Sequence, residues 1–518
     1  MLYLAFIYHM HQPYYVNLLT RETDMPWVRL HGSKDYLDMV QILENYPTVH
    51  QTFNLVPSLV EQLEYYTERT VKDKYLELSY KPASELNSEE KKFILDKFFS
   101  IDQERCIAIQ PRYYELYFKK LAKFEFGPQD FLDLQVWFNL SWIDPSFRKN
   151  MPELKRIVDK ARFYTEEEKQ TVLDKQQVIL EDTLPTYKKM MESGQIEVIL
   201  SPFYHPILPL LYSSKLGKEA NPRTNLPQTV FAYPMDAKSQ IDSAVEFYKS
   251  RFGKSPIGMW PSEESVCNHI VPYFIQAGIN WIVADEAILF KSLKKKKRDT
   301  GLLYQPHVIK REEGNLNIIF RDRNLSDMLG FVYHRWNAKD AAADFMRNLE
   351  NINNAFKDRD VFVAVAMDGE NAWEYYVNDG HDFLNELYSR FAAADFMKTV
   401  TVNEYLKKFP PVKEIERLAA GSWIYGEFGK WIGNPYKNKA WEYLALARLE
   451  LQKLIDAGQP VDPLAWKQMD ICEGSEWFWW YGEDPLGEFD RLFRMHLSNF
   501  YRLINKPIPE YLNTPLRP

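Results

Sequence analysis

The sequence predicts an α/β fold: a (β/α) barrel followed by an α-helical C-terminal domain. Three observations carry this. Short apolar segments recur, each running into a polar cluster. Helical stretches lie between them. From about residue 403 the strand signal disappears. Near-continuous apolar runs mark strands buried on both faces, and strand–helix alternation implies parallel pairing with crossovers.

Seven strands are predicted. They are Leu2–Tyr8 before His9 and His11, Val49–Leu55 before Pro57, Ile196–Leu200 before Tyr204-His205-Pro206, and Ile257–Trp260 before Ser262-Glu263-Glu264. The others are Trp281–Ala284 before Asp285, Asn317–Phe320 before Arg321-Asp322, and Val361–Met367 before Asp368-Gly369-Glu370. Polar residues gathered at C-terminal strand ends place an active site on that face of a barrel. Val400–Val402 is the one weak candidate for an eighth strand. Helical spacing appears in Asp35–Glu44, Ser58–Thr67, Glu166–Ser193, Ser239–Arg251 and Asn337–Phe356, with Gly194 as a C-cap. Residues 68–165 read as a largely helical insertion. The expected division is a barrel over 1–402 and a helical domain over 403–518, with helices at Asn438–Ala457 and Asp484–Asn505.

A chain of 518 residues exceeds one ordinary core, which fits two such units. Its net charge of −8 offers no reason to expect nucleic acid, and the basic run Lys294–Arg298 reads as a solvated loop. No apolar run is long enough to span a membrane. Met1–Tyr8 lacks a basic leader and reads as a buried strand. Cys106, Cys267 and Cys472 lie far apart, as in a reducing compartment, so a cytoplasmic protein is expected. Seven of the fourteen tryptophans follow residue 400, and the run Trp477-Phe478-Trp479-Trp480-Tyr481 cannot all face one core from a helix. Some of these rings are expected to line a cleft.

Carboxylates at strand ends suit glycoside hydrolysis, which needs one ionised and one protonated carboxyl across the scissile bond. Glu263, Asp285, Asp322, Asp368 and Glu370 all qualify by position, and position alone does not choose among them. Five segments do. His9-Met10-His11-Gln12-Pro13, Gly194-Gln195-Ile196-Glu197 with Tyr204-His205-Pro206, Gly258-Met259-Trp260-Pro261-Ser262-Glu263, Met367-Asp368-Gly369-Glu370-Asn371-Ala372-Trp373 and Trp431-Ile432-Gly433-Asn434-Pro435 stand in order along the chain. With them the chain resembles glycoside hydrolase family 57, over nearly its whole length. Thr52–Leu59 and Glu476–Gly482 align it with the amylopullulanase and α-amylase-like branch.

The resemblance implies an incomplete, seven-stranded (β/α) TIM-like barrel followed by a helical domain. It makes Glu263 the nucleophile and Asp368 the acid/base of a retaining enzyme acting on α-1,4 and α-1,6 bonds of starch, glycogen, pullulan or maltooligosaccharides. His11, Glu197, His205, Trp260, Asp285, Glu370, Trp373, Trp423, Trp431 and Trp479 are the expected substrate-binding residues. No cofactor or metal is expected, because His9 and His11 share one strand face but show no third ligand nearby in the sequence. A metal hydrolase of the deacetylase or α-mannosidase sort is the first rival on those grounds. A 4-α-glucanotransferase or branching enzyme is the second, since a sugar can replace water in opening the intermediate. The partner is then an α-glucan, not nucleic acid or membrane.

Overall fold

The computed structural model describes residues 1–370, 372–483 and 487–516. Asn371 and the start of the helix expected over 484–505 lie outside the described residues.

Seven parallel strands form a nearly closed barrel: β1 Leu2–Met10, β2 Gln51–Leu55, β3 Ile196–Ile199, β4 Gly258–Met259, β5 Trp281–Asp285, β6 Gly314–Arg321 and β7 Val361–Asp368. β1 is the central ladder. It pairs with β7 from Leu2↔Val361 to His9↔Asp368, and with β2 from Ile7↔Thr52 to Met10↔Leu55. Two seams are thin. β3 meets β4 through a single bridge, Leu200↔Met259, and β6 meets β7 only at Arg321↔Ala364. The eighth-strand candidate is displaced: the strand is Met397–Thr399, just before it, and it pairs with the first half of β1 alone. A strand not anticipated, His307–Arg311, folds back antiparallel on β6 across a two-residue turn.

Alternation along each strand separates two packed faces. Tyr3, Ala5 and Ile7 of β1, Trp281 and Val283 of β5, Ile319 of β6 and Phe362, Ala364 and Ala366 of β7 fill the barrel interior. Leu2, Leu4, Phe6 and Tyr8 face outward into the helical layer. Val402, Tyr405 and Leu406, on helix Val402–Lys408, join the interior cluster beside Tyr3 and Phe362 and so plug its N-terminal mouth. Each buried aliphatic or aromatic side chain here contributes about 1.5–3 kcal/mol, so the interior has little tolerance for polar replacement.

The helices form where their caps predict. Thr165 and Glu168 make a reciprocal capping box that starts the 27-residue helix Glu166–Glu192, and Gly194, at φ +84°, turns the chain into β3. Pro234–Phe252 ends at Gly253, and Asn337 caps Ala338–Ala355. The expected insertion contains six α-helices from Lys74–Tyr80 to Pro152–Lys160.

Beyond the plug helix the regular elements among the described residues are helices apart from the short strand Lys413–Glu414, and this part reaches the segments after β4 and β3 through Trp423 on Glu263 and Gly474 on Pro206. Arg448, on helix Pro435–Asp456, forms a bidentate pair with Asp236 at 2.6 and 3.0 Å. The His496 ring contacts the Tyr14 carbonyl at 3.0 Å, and Gly474 bridges to Pro206. Among the described residues, no helix is long and apolar enough to cross a membrane. The three cysteines are unpaired. Lys294–Lys297 are exposed, while Arg298 folds back onto Glu286 and Asp322.

Candidate active site

β4 is short because Pro261 follows it, and the chain enters a tight turn at Ser262–Glu264. Glu263 and Glu264 both adopt positive φ, 58° and 50°. Non-glycine residues avoid this region, and tertiary contacts must hold them there. The turn sends the two carboxylates apart. Glu264 points inward, 3.9 Å from Arg321 Nε, with burial raising its pKa to about 8. Glu263 turns the other way, toward Trp423 and His205.

Glu263 is held from above. Val266 and Gly421 exchange backbone hydrogen bonds at 2.8 and 3.1 Å, and the Trp423 amide donates to the Glu263 carbonyl at 3.1 Å. This ladder delivers the Trp423 indole N–H to Glu263 Oε2 at 2.7 Å. Oε1, the other oxygen, stands 3.9 Å from His205 Nδ1. Burial pushes the Glu263 carboxyl well above the usual range; the charges of Glu476 and Asp368 push the same way, and the Trp423 hydrogen bond opposes them.

Asp368 ends β7 opposite His9 on β1 and is half-buried. Its charge acts on Glu263, Glu370 and Glu476 alike, so these four carboxyls share one electrostatic neighbourhood. Glu370 is buried below the cleft. Its Oε1 accepts from the His11 amide at 3.0 Å, Gln12 Nε2 at 3.2 Å and the Tyr36 hydroxyl at 3.4 Å. It braces the end of β1.

Three histidines converge here, from two elements. His9 and His11 lie on β1 and just beyond it, and His205 follows β3 at φ 56°. The third partner that the sequence did not show for His9 and His11 is therefore supplied by the fold: one ring nitrogen of each lies within 4.8 Å of the others. The rings are layered. His11 and His205 sit 3.8 Å apart at 26°, and His9 stacks on Trp260 at 4.8 Å. Burial keeps all three neutral, with His11 lowered to about 3. Neutral imidazoles at a cleft both donate to and accept from hydroxyl groups.

Glu476 was missed as a site residue. The segment Glu476–Tyr481 stands out in the sequence for its rings, yet its carboxylate is what reaches the cleft. Ser475 ties it down, with its amide donating to the His205 carbonyl at 3.1 Å and its hydroxyl 3.0 Å from His205 Nδ1. Glu476 Oε1 lies 3.9 Å from His11 Nδ1, and Oε2 accepts from Trp480 Nε1 at 2.9 Å. Burial raises its pKa to about 7.

Other expected binding residues stand elsewhere. Glu197 faces the barrel interior one layer below the cleft. Its oxygens accept from Trp281 Nε1 and from the Asn403 amide of the plug helix, both at 3.0 Å, which ties β3 to β5 and to the plug helix. Asp285 is fully buried. It accepts from Arg321 Nε at 3.0 Å, from Nε and Nη2 along one edge of the Arg323 guanidinium, and from the Ala287 amide. Arg321 thus pairs with Asp285, not with Asp322, which caps the next helix and binds Tyr304 and Arg298. Trp373 and Trp431 are core: Trp373 Nε1 donates to the Gly369 carbonyl at 2.7 Å, and Trp431 is fully buried against Trp479. Trp260 is buried beneath His9 and meets Trp423 edge-on at 5.6 Å. Trp423 and Trp479 are the part-exposed rings, the latter under Lys430 Nζ at 4.3 Å.

Comparison with known proteins bears on the family and the fold. Residues 5–417 match glycosyl hydrolase family 57. A 124-residue stretch is 32% identical to alpha-amylase 1 of Dictyoglomus thermophilum, covering 23% of this chain and 15% of that protein. The fold resembles the family-57-type branching enzyme of Pyrococcus horikoshii, with TM-score 0.64 and 16% identity over 97% of this chain and 90% of that one. It also resembles the α-amylase AmyC of Thermotoga maritima, with TM-score 0.60 and 15% identity over 97% and 92%. With strand-end carboxylates, barrel and matched segment in agreement, the chain belongs to glycosyl hydrolase family 57.

Proposed function

We propose that this chain is a retaining α-glucan hydrolase that cleaves α-1,4 and also α-1,6 glucosidic bonds, with Glu263 as nucleophile and Asp368 as acid/base. The observation that carries the reading is Glu263 itself: a buried strand-end carboxylate, fixed through Oε2 by Trp423, within electrostatic reach of Asp368. The names of the similar proteins, two α-amylases and a branching enzyme, point to α-glucans as the substrate class.

In this reading Asp368 gives its proton to the glycosidic oxygen as Glu263 Oε1 attacks the anomeric carbon. The C–O bond to the leaving sugar breaks and a glycosyl ester forms on Glu263. Esterification removes the Glu263 charge, which lowers the proton affinity of Asp368. Asp368 then takes a proton from water, the water oxygen attacks the anomeric carbon, and Glu263 leaves as carboxylate. Retaining chemistry of this kind places the two carboxyls roughly 5–5.5 Å apart. His11, His205 and Glu476 hold sugar hydroxyls beside the cleaved bond. Trp423 and Trp479 offer the flat faces.

A second reading replaces water with a sugar hydroxyl. It takes support from the branching enzyme among the proteins of similar fold. Incubation with pullulan, amylose and maltotriose, each followed by size-resolved product analysis, separates the two. Shortened products alone support hydrolysis. Lengthened products make transfer the main reaction, and unchanged glucans refute both.

A further inference from the structure

A second cluster of titratable groups lies behind Glu370, away from the cleft. The turn Gly32–Tyr36 and helix Leu37–Gln41 bring Lys34, Asp35 and Asp38. Asp144 caps helix Pro145–Asn150. Asp379, at φ 54°, and His381 come from the segment that follows β7.

The partners are unevenly shared. Lys34 Nζ donates to Asp35 Oδ1 at 3.1 Å and to Asp379 Oδ1. His31 Nδ1 stands 2.6 Å from Asp35 Oδ2. Asp144 Oδ1 accepts from the Ser146 amide at 2.7 Å and lies 3.0 Å from His381 Nε2. Asp38 Oδ1, Asp144 Oδ2 and Asp379 Oδ2 are buried and meet no donor among the described residues. Arg148 is close enough for its charge to act on Asp144 and Asp379, but its Nε is itself buried without an acceptor. Asp38 is 7% exposed and Asp144 0%. Buried carboxylate oxygens without donors are costly unless a cation or a proton compensates them.

The geometry suits a cation. One oxygen each of Asp38 and Asp144 and a ring nitrogen of His381 lie within 4.8 Å of one another. Bonds of about 2.0–2.2 Å to a tetrahedral centre place ligand atoms about 3.3–3.6 Å apart, a change that side-chain rotation covers. Calcium and magnesium take oxygen ligands; an imidazole with two carboxylates selects the zinc class.

We propose that Asp38, Asp144 and His381 bind a divalent transition cation of the Zn²⁺ class, with Asp379 or water completing its shell. The ion ties the segment after β7, which carries Glu370 and Trp373, to the helix beside Tyr36. Its role is structural, since Asp38, Asp144 and His381 are none of the groups gathered around Glu263. The competing solution is a proton: burial, then the charges of Asp144, Asp35 and Asp379, raise the Asp38 carboxyl well above its usual range.

The test is Zn²⁺ binding by the full chain after dialysis against a chelator, followed by metal analysis and thermal unfolding. One Zn²⁺ per chain is expected, with Tm rising with free Zn²⁺. Asp38→Asn, whose side chain holds no other helix cap, and His381→Gln are each expected to weaken binding about 100-fold or more. His205→Gln leaves it intact. The proposal is overturned if wild type binds no Zn²⁺, if Asp38→Asn and His381→Gln bind it as tightly as wild type, or if His205→Gln abolishes binding, which would move the ion to the cleft histidines. If Asp38→Asn does not fold, His381→Gln carries the comparison, and the visible absorption of Co²⁺-loaded wild type against His381→Gln reports directly on imidazole ligation.

Discussion

Trp423 Nε1 is the donor that orients Glu263, and its loss has a calculable size. A hydrogen bond to a charged group contributes about 1.5–3 kcal/mol. Trp423→Phe keeps the ring and removes the donor, so kcat/KM is expected to fall about 10–100-fold with little change in Tm. An unchanged kcat/KM would remove Trp423 from the account. The same carboxyl sets the pH dependence. In the proposed mechanism the nucleophile must be ionised, and Glu263 holds its proton more tightly than an ordinary glutamate. Activity is therefore lost as pH falls through that raised pKa, and the acid limb of kcat/KM lies above the usual carboxylate range. Glu476→Gln removes a negative charge that raises it, so the limb moves to lower pH; a limb that stays put contradicts the role given to Glu476. At this scale Glu263 and Asp368 could be proposed from the sequence because each stands in a motif with a local signature, and the fold brings their charges within reach of each other. Glu476 stands in a segment whose rings dominated it, and its approach to His11 is a contact across more than 460 positions. Trp373 and Trp431 are indistinguishable from cleft tryptophans until the layers around them are known.

The element that matters most is the strap from Gly421 to Trp423. Its two backbone hydrogen bonds with Val266 align it on the Glu263 turn. Gly421, at φ +157°, has no room for a Cβ, which would collide with the Gly426 carbonyl and the Ile288 side chain. Gly421→Ala is expected to displace the strap and lower activity more steeply than stability, as read by kcat/KM beside Tm. Equal activity at unchanged stability would show that the strap does not position Glu263. A second element-level expectation concerns the layered histidines. His9, His11 and His205 are held neutral by burial. Their ¹⁵N ring shifts in NMR should therefore stay those of neutral imidazole at pH 5.5, where an exposed histidine is mostly charged; imidazolium signals would contradict the packing. The strands were legible because an apolar run ending in polar residues is a local pattern. The pairing of His205 with His9 and His11 was not, because it is made by β3 lying near the end of β1. Glu197, a motif neighbour of His205 in sequence, instead accepts from the plug helix, a contact across 206 positions that no local pattern records.

Across the whole molecule one hydrophobic cluster runs from Leu2 to Leu516 and joins the barrel's outer face to the C-terminal helices. The division expected near residue 402 therefore crosses a continuous core, and thermal unfolding followed by far- and near-ultraviolet circular dichroism is expected to give a single shared transition. Arg448→Met strands Asp236 in that core and is expected to cost about 3–5 kcal/mol, read from urea unfolding. The barrel and its helical continuation were legible as a change in periodicity; how the second part reaches over the first was not, since no local signal records it. The central claim, a retaining enzyme with Glu263 as nucleophile, is tested most directly by Asp368→Asn and Glu263→Gln with an activated aryl maltoside, measuring the phenol burst and the mass of the protein. The account predicts a burst from Asp368→Asn with a maltosyl group on Glu263, and neither from Glu263→Gln. A burst from Glu263→Gln, or a maltosyl group on another carboxylate, would contradict it.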